Sequence, residues 1–233
     1  MALEKVLVVD DDPNICDVLR MYLENEGYSV ILSYDGEEAL VKFNALKPDI
    51  ILLDVMLPKM DGLEVCQQTR EFSQVPIIMV TAKGEDMDKI MGLEYGADDY
   101  ITKPFTPMEL MARVNSQLRR YHRFLDRLNS KQTENPKVHR LGGLEVNEET
   151  VEVTVDDKTV KVTPIEFKIL LLLIQNPGRV FPAEEIYERV WNERAVNTDT
   201  VMVHILRLRQ KIEDNSAQPE IIRTIYGKGY QVD

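Results

Sequence analysis

Residues 49–62 read DIILLDVMLPKMDG, in which four branched apolar residues run directly into Asp54. Burying a carboxylate at the end of an apolar strand is costly unless the charge is paired or bound to a metal, so such a strand usually has a use for it. Two other stretches repeat the pattern: VLVVDDD at 6–12, and PIIMVTAK at 76–83, which reaches Thr81 near its end. These stretches predict polar side chains at the ends of buried strands.

The first half of the chain alternates short apolar runs with segments long enough to form helices. Strands that are apolar on both faces and spaced by helices form parallel sheets covered on both sides. We therefore predict a doubly wound α/β domain of five strands, ending in a helix that starts near Pro107 and continues past residue 120. The five apolar runs are VLVV (6–9), SVILSY (29–34), IILL (50–53), IIMV (77–80) and DYIT (99–102).

The second half has a different pattern, which follows the polar stretch NSKQTENPK at 129–137. Alternating β-branched and charged residues around a DDK turn predict a small antiparallel sheet. Three helices should follow, in PIEFKILLLLIQN, PAEEIYERVW and DTVMVHILRLRQKIE, before a hairpin that turns at Gly227 to Gly229. The predicted organisation is a domain at 1–122, a linker at 123–137 and an α+β domain at 138–233.

Length, charge and cysteine content limit the functions to consider. A chain of 233 residues suits two domains. The net charge is −12, and residues 138–233 hold 12 basic against 16 acidic residues, so any contact with nucleic acid must be local. Cys16 and Cys66 fall on apolar faces of predicted helices and are interpreted as packing thiols. With no leader and no long apolar run in the sequence, we expect a cytoplasmic protein that does not enter membranes.

The polar residues of the first half meet at one edge of the predicted sheet. Asp10 and Asp11 end the first strand, Asp54 the third and Thr81 the fourth, and Lys103 follows the fifth. In open α/β sheets, ligands bind outside the carboxyl ends of the strands. Three convergent carboxylates repel one another, and a divalent cation, most simply Mg²⁺, relieves that repulsion. A metal, a carboxylate, a hydroxyl and an ammonium together make a site for a phosphoryl group.

VLVVDDD, DIILLDVMLPKMDG, VTAK and GADDYITKPF resemble the signature of response-regulator receiver domains, over about residues 3–122. The resemblance implies that Asp54 accepts a phosphoryl group from a phosphohistidine of a sensor histidine kinase. It also implies a cis peptide bond between Lys103 and Pro104. The further roles that it implies are Mg²⁺ binding by Asp10, Asp11, Asp54 and the main-chain carbonyl of Met56, phosphoryl contacts from Thr81 and Lys103, and a switch role for Thr81 and Tyr100.

The second half resembles the winged helix-turn-helix domain of the OmpR/PhoB subfamily, through VTPIEFKILLLLIQNPGRV, ERVW, TVMVHILRLRQKI and TIYGKGYQV. The resemblance implies that the helix from about Thr198 to Glu213 enters the DNA major groove and that the hairpin touches the flanking groove. Asp199, Leu206 and Tyr226 depart from residues common in that subfamily, so individual base contacts do not transfer directly. The predicted DNA contacts are Thr200, His204, Arg207, Arg209, Lys211, Arg223 and Lys228.

The resemblance also implies a homodimer that forms on phosphorylation through three charge pairs. These pairs are Lys89 with Glu109, Asp99 with Arg113, and Asp98 with Arg120. Such a dimer would bind promoter DNA, probably at direct-repeat half-sites, and act on RNA polymerase. The stretch YITKPFTPMELMARVNSQLRRY is also similar to vancomycin-resistance regulators of the VanR type, but many Gram-positive regulators share it.

Two other functions compete with a phosphorylation-switched transcription factor, which would catalyse only its own phosphorylation and dephosphorylation. A Mg²⁺-dependent phosphatase also forms an aspartyl phosphate at a strand end. That class needs a second acid two residues after the nucleophile, where this chain has Met56. A regulator that binds DNA without phosphorylation would have lost part of its acid pocket. All the pocket residues are present here, so the sequence favours the phosphorylated regulator.

Overall fold

Five parallel strands in the order β2-β1-β3-β4-β5 form the centre of the N-terminal part of the chain. The computed structural model describes residues 3–82, 95–129, 137–192 and 198–233. Contacts divide the chain into an N-terminal unit, residues 1–121, and a C-terminal unit, residues 122–233. The strands are β1 (Lys5–Val9), β2 (Ser29–Ser33), β3 (Ile50–Asp54), β4 (Ile77–Ala82) and β5 (Asp99–Lys103).

Both faces of this sheet are buried, as the apolar runs predict. Val6 and Val8 lie on one face and Leu7 and Val9 on the other, and none of the four is more than 1% exposed. Alternate residues of a strand point to opposite faces, so helices must cover both sides. The described helices of this part are α1 (Pro13–Asn25), α2 (Gly36–Leu46), α3 (Gly62–Phe72) and α4 (Pro107–Asn129).

Aspartates set the starts of the first three helices. Asp12 is the N-cap of α1 and accepts a hydrogen bond from the Asn14 N–H, with Pro13 in the first turn. Asp35 and Asp61 cap α2 and α3 in the same way. Each carboxylate satisfies an N–H that the helix leaves unpaired, so the chain turns sharply from each strand end into the next helix.

In the C-terminal unit, the described residues 137–192 and 198–233 form a four-stranded antiparallel sheet, three helices and a hairpin. Asp156 and Asp157 form the turn between β8 and β9, both with positive φ, so the predicted DDK turn is present. The three predicted helices are present as well, as α5 (Pro164–Ile174), α6 (Ala183–Trp191) and α7 (Asp199–Ile212). The strands are β6 (Val138–Leu141), β7 (Leu144–Asn147), β8 (Val153–Val155), β9 (Lys158–Thr159), β10 (Ile222–Ile225) and β11 (Gly229–Val232).

The core of this unit lies between its helices and its strands. Phe167 of α5, Trp191 of α6 and Leu208 of α7 are buried together with Val146 and Ile222 of the sheets. The predicted fold class is confirmed in both parts of the chain. Within the described residues, no helix has both the length and the apolar character that a membrane span requires.

Candidate functional site

Three carboxylates converge at the carboxyl edge of the parallel sheet. Strands β1 and β3 are neighbours with Val9 opposite Leu53, so Asp10 and Asp54 leave the sheet side by side. Asp10, Asp11 and Asp54 each place a carboxylate oxygen within 4.8 Å of the other two. Asp10 and Asp54 are buried, while Asp11 is exposed. The structure therefore brings together the three acids that the sequence places at strand ends.

Lys103 ties two of these acids together from the end of β5. Its Nζ lies 2.7 Å from Asp10 Oδ2 and 2.5 Å from Asp54 Oδ2. The peptide bond between Lys103 and Pro104 is cis, as expected. Burial by itself lowers the pKa of Lys103, but its hydrogen bonds to the two acids outweigh burial and raise that pKa. Burial also raises the pKa of Asp10, although Lys103 opposes the shift.

A buried hydroxyl completes this edge of the sheet. Thr81 lies in β4 beside β3 and is 1% exposed. Its Oγ1 has no hydrogen-bond partner among the residues that the structure describes. A buried hydroxyl without a partner is costly, so one at a cluster of charged groups suggests that it bonds to a ligand. Tyr100, the predicted switch aromatic, is buried in β5, where it lies opposite Met79 of β4.

The loop after Asp54 is folded tightly against the strand end. The Met56 N–H donates to Asp54 Oδ1 at 3.2 Å, which fixes the carboxylate from the main-chain side. A Cβ at Gly62 would collide with the carbonyl oxygen of Asp54, so only glycine fits at the start of α3. Lys59 pairs with Asp35 at 2.5 Å and holds this loop to the loop after β2.

The acid cluster fits a small divalent cation. Mg²⁺ binds oxygen ligands and is commonly held by one or two carboxylates with other oxygen donors. Asp10, Asp11 and Asp54 supply such oxygens within one small volume. The unpartnered Thr81 hydroxyl and the Lys103 ammonium lie at the same edge of the sheet, where they suit an anionic ligand beside a metal.

The residues predicted to pair across a dimer make contacts within one chain here. Asp99 pairs with Arg113 at 2.9 Å, and Arg113 also lies 3.5 Å from Glu109. Asp98 pairs with Arg70 at 2.5 Å and is 1% exposed. The cross-subunit pairs therefore stay a prediction.

Arg120 and Lys89 are the remaining residues of the predicted dimer pairs. Arg120 is buried and donates to Ser116 Oγ at 2.7 Å. Lys89 lies outside the described residues. The predicted pairs of Lys89 with Glu109 and of Arg120 with Asp98 therefore stay predictions.

The three basic residues of helix α7 all have partners inside the C-terminal unit. Arg207 and Lys211 reach Glu166 of α5, with nitrogen–oxygen distances of 3.0 and 2.6 Å. Burial by itself raises the pKa of Glu166, but the two cations outweigh burial and lower it to about 2. Arg209 donates to the carbonyl oxygen of Ile222 at 2.7 and 2.9 Å. For these cations, contact with DNA stays a prediction, and it would have to compete with these partners.

The remaining predicted DNA contacts divide into buried and exposed side chains. Thr200 and His204 are buried, and the centre of the His204 ring lies 5.5 Å from the centre of the Trp191 ring. In this conformation neither is presented to a base, so their role as readers also stays a prediction. Arg223 and Lys228 are exposed on the hairpin, where DNA can reach them.

The fold and the site define a two-part protein, with an acid pocket suited to a phosphoryl group and a C-terminal unit of helices and a terminal hairpin. Residues 6–115 match the model of the response regulator receiver domain. Residues 157–232 match the model named transcriptional regulatory protein, C terminal.

Full-length relatives agree with both matches. The chain is 44% identical over 233 residues to regulatory protein VanRc of Enterococcus gallinarum, covering 99% of each protein. It is 45% identical to the alkaline phosphatase synthesis transcriptional regulatory protein PhoP of Bacillus subtilis, covering 99% of this chain and 97% of that one. The solved structure of a RitR mutant matches with a TM-score of 0.75 at 25% identity over 99% of both chains. The chain belongs to the OmpR/PhoB-type response regulators of two-component systems, which are DNA-binding transcription regulators rather than classical enzymes.

Several residues that shape these sites were missed in the sequence. Glu166 follows Thr163 by three positions, a spacing that signals a capping box, and both of its hydrogen bonds are present. Nothing local signals that the same carboxylate also binds two cations of another helix. The pairs Lys59 with Asp35 and Arg70 with Asp98 likewise join residues far apart in the chain.

Proposed function

We propose that Asp54 is the phosphoacceptor of this regulator and that its phosphorylation by a sensor histidine kinase promotes dimerisation and binding to promoter DNA. The observation that carries the proposal is the Lys103 ammonium, which bridges Asp10 and Asp54 at 2.7 and 2.5 Å at the edge of the sheet where the Thr81 hydroxyl has no partner among the described residues. A carboxylate, a cation and a hydrogen-bond donor at one edge of the sheet match the needs of phosphoryl transfer.

The chemical step is an in-line substitution at phosphorus. An Oδ of Asp54 attacks the phosphorus of a phosphohistidine, the P–O bond forms and the P–N bond breaks. The imidazole nitrogen leaves with the electron pair, and the product is an acyl phosphate. Once its carboxylate is esterified, Asp54 no longer carries a negative charge. Lys103 then pairs with a phosphoryl oxygen, and the Thr81 hydroxyl donates to another. Hydrolysis of the acyl phosphate would return the chain to its resting form.

The acid cluster supports a Mg²⁺ requirement for this step. Asp10, Asp11 and Asp54, with the main-chain carbonyl of Met56, would hold the ion. Bound there, the ion neutralises charge on the transferred group. The chain's own part is to orient Asp54, through the Met56 N–H on Oδ1 and Lys103 on Oδ2.

We propose that the output is a population shift rather than a new fold. A phosphoryl group on Asp54 gives the Thr81 hydroxyl a partner, and β4 and β5 move together with it because they are paired. Tyr100 in β5 follows, and a twofold dimer forms through the charges on β5 and α4. With the polar stretch at 129–137 as linker, two C-terminal units then reach neighbouring direct-repeat half-sites. In this proposal the protein acts in the cytoplasm, on promoter DNA and RNA polymerase.

A small phosphodonor with Mg²⁺ tests the first step. Incubation of the protein should give an acid-labile adduct of one phosphoryl group, detected as a mass increase. The Asp54→Asn variant keeps the shape of the side chain without the nucleophile and should give none. Continuous release of inorganic phosphate without an adduct would instead support a phosphatase. No reaction at all would support a regulator that works unphosphorylated.

A further inference from the structure

The basic residues of helix α7 do not by themselves explain the electrostatic attraction of this unit to DNA. Arg207 and Lys211 both pair with the fully buried Glu166, and their side chains are only 7% and 30% exposed, so they offer little of their charge to a ligand from solvent. Arg209 is tied to the carbonyl of Ile222. DNA binding depends on cations that neutralise phosphates, so other cations are needed to supply much of the electrostatic part of the binding free energy.

Two arginines outside helix α7 converge on one aromatic ring. Arg179 precedes helix α6, and its guanidinium carbon lies 4.3 Å from the centre of the Phe181 ring. Arg189 lies in helix α6, and its guanidinium carbon lies 5.8 Å from the same centre. Both also pair with Glu185, at 2.6 and 2.7 Å. We call Arg179, Phe181, Glu185 and Arg189 the Phe181 site.

The Phe181 site is both accessible and held in place. The side chains of Arg179 and Arg189 are 47% and 50% exposed, so a ligand can reach them. Stacking on a ring and sharing one carboxylate restrict both guanidinium groups, which lowers the entropy that binding a ligand would cost. Two arginines with one glutamate leave a net charge of +1, and the planar guanidinium is suited to phosphate oxygens.

The Phe181 site also adjoins the hairpin. Phe181 and Tyr230 exchange two main-chain hydrogen bonds, of 2.8 and 2.9 Å. A Cβ at Gly229, whose φ is +136°, would collide with the carbonyl oxygen of Phe181, so the hairpin packs closely there. Exposed Lys228 therefore lies on a hairpin that is anchored to the site.

On helix α6, the face that carries Arg189 is the one that attracts a polyanion. Glu184 and Glu188 are exposed on α6 and repel phosphates. Side chains on a helix are separated by about 100° per residue, so Arg189 points well away from Glu188. In helix-turn-helix proteins the helix before the recognition helix crosses the DNA backbone, which is the position of α6 relative to α7.

We infer that Arg179 and Arg189 form a binding site for a DNA backbone phosphate over the ring of Phe181. This site and the hairpin carry the salt-dependent part of DNA binding, while Arg207 and Lys211 mainly position helix α7. The inference rests on DNA binding by the C-terminal unit and adds which residues contact the phosphates.

The salt dependence of binding tests the inference on the full-length chain, with a duplex of random sequence. For wild type, the logarithm of the binding constant falls linearly with the logarithm of salt concentration. Because the two arginines share one phosphate, Arg179→Ala and Arg189→Ala should each reduce that slope, and the double substitution should reduce it by about one. The matched control is Arg140→Ala, which removes an exposed arginine paired with Glu145 elsewhere in the same unit and should leave the slope unchanged.

A charge variant of opposite sign guards against effects of misfolding. Glu185→Gln removes the carboxylate that competes with phosphate, so binding at fixed salt should tighten severalfold, which partial unfolding cannot produce. Unchanged slopes for both arginine variants would overturn the inference, as would a loss of slope in Lys211→Gln alone. If wild type shows no salt-dependent binding to any duplex, DNA binding itself is refuted and the phosphate site with it.

Discussion

Substituting Glu166 by glutamine should destabilise the C-terminal unit, and the effect should depend on pH. The buried carboxylate faces Arg207 and Lys211 at 3.0 and 2.6 Å. Glutamine keeps the size of the side chain and is also accepted in a capping box with Thr163, so the substitution isolates the charge. The variant leaves a largely buried arginine without its carboxylate.

The pKa of Glu166 sets the size of the effect. That pKa falls from 4.5 to about 2 on folding. At about 1.36 kcal/mol for each tenfold change in proton affinity, the difference corresponds to about 3 kcal/mol. Breaking a buried ion pair by removing one partner costs about 3–5 kcal/mol in other proteins, which is of the same order.

The sign of the pH dependence follows from the lowered pKa. The ionised carboxylate binds fewer protons in the folded state than in the unfolded state, so its contribution is fully present above pH 4.5. It is lost as the pH falls through about 2. The difference between wild type and Glu166→Gln should therefore be largest at neutral pH and shrink steadily below pH 4.5.

Urea unfolding followed by tryptophan fluorescence measures this difference in the full-length chain. Trp191 is the only tryptophan and is buried in the C-terminal unit, so its emission reports that unit. Glu145→Gln is the matched control, because Glu145 makes an exposed pair with Arg140 that is worth about 0–1 kcal/mol. A Glu166→Gln effect as small as that of the control at pH 7, or one independent of pH, would refute the reasoning.

Three further outcomes are expected. Asp54→Asn should fold and accept no phosphoryl group, and incorporation equal to wild type would remove Asp54 from its role. Asp11→Asn should lower Mg²⁺ affinity and the phosphorylation rate together, measured by metal titration and by adduct formation; a change in only one of them would argue against a role through the metal. Arg113→Glu should abolish dimerisation on phosphorylation, measured by sedimentation, without blocking phosphorylation, and adding Asp99→Arg should restore it; a single variant that still dimerises normally would exclude the proposed interface.

The sheet and the acid pocket were predictable because their signals are local. A run such as IILLD shows a buried strand and its terminal acid within five residues, and parallel pairing then brings the strand ends together. The long-range ion pairs were not predictable. Arg70 and Asp98 are 28 positions apart, and Glu166 and Lys211 are 45 positions apart. Only the packing of the elements decides that such residues meet, and a charged residue in a helix usually lies in solvent.

The same packing changes what the predicted dimer needs. Asp99 and Arg113 are already paired at 2.9 Å within one chain, with little exposure of either side chain. A cross-subunit pair between the same residues would replace one ion pair by another, so its Coulomb energy nearly cancels between monomer and dimer. The charges then decide which surfaces face each other, while the free energy of association must come from the rest of the interface. Arg113→Glu should for the same reason weaken the monomer as well, because it places a carboxylate beside Asp99 and Glu109. Loss of dimerisation is informative only if the variant still unfolds cooperatively and accepts a phosphoryl group at the wild-type rate. Its restoration by Asp99→Arg in both measurements would show that one pair serves the monomer and the dimer in turn.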